Sequence, residues 1–121
     1  MELTLYQVDA FADRLFRGNP AAVCPLEHWL PAPTLQAIAM ENNLSETAFI
    51  VHEAPGWRIR WFTPTTEVKL CGHATLAAAF VYFREINNTT DQVVFDSLSG
   101  HLSVTRDGER LTLDFPIQQA E

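Results

Sequence analysis

Residues 67–80 read EVKLCGHATLAAAF. A thiol, a glycine and an imidazole stand at the head of a run that turns almost wholly apolar. From Ala74 to about Ile86 the composition is helical, and Leu76, Ala77, Ala78, Ala79, Phe80, Val81, Tyr82 and Phe83 cover every face rather than one stripe. A helix that is apolar all round is buried all round. Each of its large side chains contributes about 1.5–3 kcal/mol on full burial. Such a helix cannot lie on one side of an open sheet, so strands are expected to wrap around it.

The flanking sequence supplies those strands. Upstream, Leu3–Phe11 alternates, and AAVCPL reads as a second short strand after the Gly18-Asn19-Pro20 turn. Pro31 and Pro33 bracket a helix from about Thr34 to Asn42. Leu35, Ile38 and Ala39 share one of its faces, and Asn42-Asn43 ends it. Glu46–Glu53 is β-prone, Pro55-Gly56 is a turn, and WRIRWF puts Trp57, Ile59 and Trp61 on one face and Arg58 and Arg60 on the other. Downstream, Asn87-Asn88 closes the central helix. VVFDSL and GHLSVTR flank a Ser99-Gly100 turn, and Asp107-Gly108 marks a hairpin into ERLTLDFPI. The order β-β-α-β-β-α-β-β-β implies an α+β fold of mainly antiparallel strands curled about a central helix.

Composition narrows the function classes. A chain of 121 residues, 47% hydrophobic and 19% charged, suits one domain with a real core. A net charge of −7 with eight scattered Lys and Arg argues against nucleic acid and anionic membrane as partners. No apolar run approaches the roughly 20 residues that span a bilayer. MELTLYQVDAF has no basic leader region and alternates like a strand, so a cytoplasmic location with Cys24 and Cys71 as free thiols is expected. No CxxC or HExxH motif occurs, and His28, His52, His73 and His101 are dispersed. No metal site is expected, because only long-range convergence would build one.

Four places carry candidate chemistry. The helix start at Gly72-His73-Ala74-Thr75 offers unpaired N–H groups and the positive end of a helix dipole, which suits a substrate carboxylate; the alternative is a tight turn that needs Gly72 for backbone reasons. Cys71 beside that helix end is expected to be a lowered-pKa thiol, and otherwise a small buried hydrophobe. Cys71 and His73 are two apart and on a helix would point to different sides, which disfavours a Cys–His dyad. Glu46, in NLSETAFIV, directly precedes an apolar strand. In a desolvated cleft it suits proton transfer near neutral pH, but on pattern alone a solvated turn residue is the stronger reading. Asp9 and Asn19 have no more than a structural role by composition.

Three segments together are more specific. VDAF-x4-FRGNPAAV, NLSETAFI and RIRWFTPTTEV-x2-CGHATLAA occur in that order, and with them the chain, from Tyr6 to about Phe115, resembles the N-terminal lobe of the phenazine-biosynthesis (PhzF-like) isomerase/epimerase family. The resemblance implies a diaminopimelate-epimerase-like fold: two similar lobes, each a mostly antiparallel, barrel-like sheet around a central buried helix, with substrate between them near the helix N-termini. It implies cofactor-independent proton transfer at carbon. It makes Glu46 the acid/base and places Gly72, His73, Ala74 and Thr75 at the substrate, with Asn19 bordering the cleft and Ser45, beside Glu46, included among the substrate-binding residues. Cys71 resembles the position of a catalytic cysteine in the related diaminopimelate epimerases, which makes it a second candidate acid/base.

On this reading residues 1–121 are a single lobe, without the second lobe that the family carries. The expected protein is an isomerase or epimerase acting on a small carboxylate, with its cleft completed in a homodimer. The alternatives are a catalytically incomplete small-carboxylate-binding lobe or fragment that acts through homodimerisation, and a thiol enzyme using Cys71.

Overall fold

The computed structural model describes residues 3–8, 20–108 and 110–114. Asp9, Gly18 and Asn19 therefore lie outside the described residues, which take up the turn only at Pro20. Among the described residues, eight strands and two α-helices follow in order: β1 (Tyr6–Val8), β2 (Ala21–Leu26), α1 (Ala32–Asn42), β3 (Glu46–Glu53), β4 (Gly56–Phe62), β5 (Glu67–Val68), α2 (Gly72–Val81), β6 (Gln92–Ser97), β7 (Gly100–Asp107) and β8 (Arg110–Asp114). A π-helical turn, Tyr82–Ile86, extends α2 and closes with the Asn87 N–H donating to the Tyr82 carbonyl at 2.9 Å. Proline is tolerated in a first helical turn, where its missing N–H would be unpaired anyway. For that reason α1 starts at Ala32, ahead of the expected Thr34. It ends on Asn43 in the left-handed conformation, φ 56°, with its N–H on the Ala39 carbonyl.

The strands form a single sheet in the order β1-β2-β3-β4-β6-β7-β8, with β5 pairing to β4 off that path. Pairs β2–β3 and β4–β6 are parallel and the other five antiparallel. Helix α2 packs against β2 and β3 and also against β8, at the far end of the order. That is possible only because the sheet curls around it. Ala74 to Ala79 and Val81 of α2 are buried, apart from the half-buried Phe80, as an all-round apolar helix requires.

Strand alternation sorts the core into two clusters. On β3, Ala48 and Ile50 face α2 together with Ala21, Val23, Ile59 and Trp61. Phe49 and Val51 point the other way, where Cys24, Leu26 and Phe62 meet Leu35 and Ala39 of α1. Strands β2 and β3 are therefore covered on both faces, which accounts for the near-continuous apolar runs AAVC and TAFIV.

Strand β5 is not foreseen in the sequence. It forms because Thr63 folds the chain back, its N–H donating to the Thr66 carbonyl at 2.7 Å. Arg60 then grips Glu67 with two hydrogen bonds of 2.8 Å. The Arg60 guanidinium also lies over Trp29 and Phe62, 5.5 Å from each ring centroid, so the Arg face of β4 is half covered rather than open. This hairpin, with Ser99 Oγ donating to the Lys69 carbonyl at 2.7 Å, delivers Cys71 to the start of α2.

Candidate active site

Glu46 is the first residue of β3, and it shares the parity of Ala48 and Ile50, so its side chain points to the α2 side. Helix α2 presents its first turn there. Glu46 Oε1 lies 2.6 Å from His73 Nε2, with the two side chains 18% and 21% exposed. Oε1 is itself buried, and the contact lacks the directionality of a hydrogen bond, so this oxygen keeps accepting capacity inside the site. On the other ring nitrogen, His73 Nδ1 lies 3.8 Å from Cys71 Sγ. The imidazole thus bridges a carboxylate and a thiol.

That bridge corrects the expectation that Cys71 and His73 point apart. The helical spacing rule does not apply, because Cys71 is the N-cap residue in extended conformation, φ −147° and ψ 104°, and only Gly72 onward is helical. The expected low thiol pKa is also reversed. Burial pushes Cys71 from an ordinary 9.0 up to about 11, with the nearby Glu46 charge adding to the rise. The N–H groups of His73 and Ala74 act in the opposite direction without outweighing burial.

A thiol held protonated favours the native state below about pH 9, and that contribution is lost as pH rises from about 9 to about 11. Reactivity follows the same sign. At neutral pH, iodoacetamide is expected to label Cys71 about 10- to 100-fold more slowly than an unburied thiol, the scarcer thiolate being partly offset by its higher intrinsic nucleophilicity. Peptide mass spectrometry resolves Cys71 from Cys24. Labelling at the free-thiol rate contradicts the buried, protonated assignment.

A second chain of contacts holds the helix end in place. Trp61 Nε1 donates to Thr75 Oγ1 at 3.0 Å, and Thr75 Oγ1 donates to the Cys71 carbonyl at 2.7 Å. The Thr75 N–H donates to the same carbonyl at 3.1 Å. Thr75 is fully buried, and its hydroxyl and N–H are both engaged in holding the helix start. The Ala74 methyl is likewise buried, and its N–H faces the Cys71 sulfur. Gly72 and His73 are both partly exposed. Ser45, also partly exposed, adjoins Glu46. Trp61 was missed as a contributor to the site, although the alternation of WRIRWF already set it on the inner face.

The site joins residues from distant segments. Among the described residues, Glu46, Cys71 and His73 are a group of potential metal ligands whose donor atoms all lie within 4.8 Å of one another. Also among the described residues, no helix is long and apolar enough to cross a membrane.

A curled sheet around a buried helix, with a carboxylate and an imidazole meeting at the helix mouth, defines an α+β epimerase-like lobe. The chain belongs to the phenazine biosynthesis-like protein family, whose sequence pattern it matches over residues 8–120. It is 57% identical over 121 residues to an uncharacterized isomerase of Pseudomonas aeruginosa, covering all of this chain and 47% of that one. With the human phenazine biosynthesis-like domain-containing protein it shares 48% over 128 residues, 99% of this chain and 44% of the relative. Among solved structures, a PhzF-family phenazine biosynthesis protein of Enterococcus faecalis superposes with a TM-score of 0.83 at 54% identity, over 89% of this chain and 42% of that one. The chain therefore spans less than half the length of the relatives it matches.

Proposed function

We propose that this lobe forms one wall of a cofactor-independent isomerase that moves a proton at a carbon of a small carboxylate substrate. The observation that carries the reading is the 2.6 Å contact of Glu46 with His73 at the start of α2. Glu46 takes and returns the proton. Its buried Oε1 retains accepting capacity, and its neighbour is an imidazole nitrogen 2.6 Å away. The substrate carboxylate is held at the helix end by Gly72, His73 and the local dipole. Ser45, beside Glu46, belongs to the rim of the same cleft in this proposal. Cys71, protonated at neutral pH, serves as an acid rather than a nucleophile.

The opposite wall comes from a second lobe, and for this chain by itself that lobe is a second copy. The test couples mass to chemistry. Sedimentation is expected to give a dimer, and the dimer is expected to exchange carbon-bound hydrogen of small carboxylates with D2O, read by proton NMR. A monomer that binds small carboxylates without deuterium uptake would instead assign the lobe to ligand binding. The relative named an isomerase supports the first outcome.

A further inference from the structure

We propose that Glu46, Cys71 and His73 form a binding site for a borderline-soft divalent cation, Zn²⁺ by preference, and that occupying it shuts down proton transfer. The sulfur–nitrogen pair is already at metal-sharing separation. Zn–S of about 2.3 Å and Zn–N of about 2.0–2.1 Å at a tetrahedral angle set sulfur and nitrogen about 3.6 Å apart. Cys71 Sγ and His73 Nδ1 are 3.8 Å apart. The carboxylate is close by, with all three donor atoms within 4.8 Å of one another; Glu46 now contacts the other ring nitrogen, Nε2, and exchanges that contact for the metal on binding. Glu46 Oε1 is buried beside these groups, and its 2.6 Å contact with His73 Nε2 lacks hydrogen-bond geometry. A cation would give that oxygen a better-directed partner than the ring nitrogen now does.

The charges balance. Neutral imidazole, thiolate and carboxylate together offset the two charges of the cation. As the Zn–S bond forms, the thiol proton leaves to solvent, so binding releases one proton per ion. The positive end of α2 opposes the cation and keeps the site weaker than a four-ligand structural zinc. Three protein ligands leave a fourth position to water. The thiolate selects Zn²⁺ over Mg²⁺ and Ca²⁺, which prefer oxygen donors. Occupancy takes Glu46 away from substrate; this consequence rests on the proposed role of Glu46 as acid/base, whereas the site itself does not.

The test is a titration of the full chain, reduced and metal-free, with Co²⁺ as spectroscopic probe and Zn²⁺ as competitor. A thiolate-to-cobalt charge-transfer band is expected, saturating at one Co²⁺ per chain and bleached by Zn²⁺ but not by Mg²⁺. Cys71→Ser should abolish the band and Cys24→Ser should leave it. His73→Gln should weaken Co²⁺ binding by more than the roughly 10–100-fold that loss of an outer-shell partner brings. Circular dichroism checks that each variant folds, and His73→Gln decides the matter should Cys71→Ser not fold. Absence of the band, its persistence in Cys71→Ser, or an unchanged affinity in His73→Gln overturns the site. Deuterium exchange with and without Zn²⁺ is read separately. If the metal-free protein shows no exchange, the isomerase reading fails while the Co²⁺ titration still decides the cation site.

Discussion

Glu46→Gln is expected to lower solvent-hydrogen exchange at the substrate carbon about 10²–10⁴-fold, the range that a positioned acid/base group supplies. The substitution keeps the size and shape of the side chain and removes its capacity to take a proton. It leaves the strand pairing of β3 with β2 and β4 untouched, because that is made by backbone groups. Far-UV circular dichroism and the thermal midpoint should therefore stay close to those of the unmodified chain while exchange collapses. Exchange that continues at the original rate would remove Glu46 from the chemistry and leave the 2.6 Å contact with His73 as a structural ion pair.

Trp61→Ala carries the largest expected effect on stability. The indole is 1% exposed and belongs to the cluster around α2. Removing a large buried aromatic ring costs about 3–5 kcal/mol. Domains of this kind hold only about 5–15 kcal/mol in total. The lost Nε1 donor also leaves the Thr75 hydroxyl with one contact fewer at the base of the helix start. Urea titration followed by circular dichroism should show the midpoint falling steeply. A midpoint unchanged from the parent chain would mean that the indole does not hold sheet and helix together. Trp61→Phe separates the two contributions, since it restores most of the ring and none of the hydrogen bond.

The parts of this fold that could be read in advance are those whose cause is local. Helix α2 was legible because Leu76 to Phe83 are apolar on every face, and only burial explains that. The β7–β8 hairpin was legible because Asp107-Gly108 is turn chemistry, and Gly108 indeed takes φ 63°. Strand β5 was not, because two residues carry no periodicity; the Arg60–Glu67 grip that secures them is visible only once the chain has folded back. The parallel pairing of β2 with β3 was likewise hidden, since an apolar run does not announce its neighbour.

At the site the split has the same origin. The family motifs singled out Glu46 and His73, and the structure brings them together. The acidity of Cys71 was misjudged because a local rule, the helix dipole, was set against a non-local quantity, burial, and burial is the larger. The metal-ligand grouping escaped for a related reason. A search for closely spaced ligands cannot see Glu46, which reaches the other two only through the register of the sheet.

That register has a further consequence. Residues 46, 48 and 50 look toward α2, while 49 and 51 look toward α1. A slip of β3 by one position would exchange Phe49 and Val51 for Ala48 and Ile50 in both cores, and the fold would not tolerate it. The same slip would swing the carboxylate away from the imidazole. Sorting of the core and aim of the carboxylate are thus one error check: a chain in which β3 has docked correctly has, by that docking alone, already pointed its acid at its target.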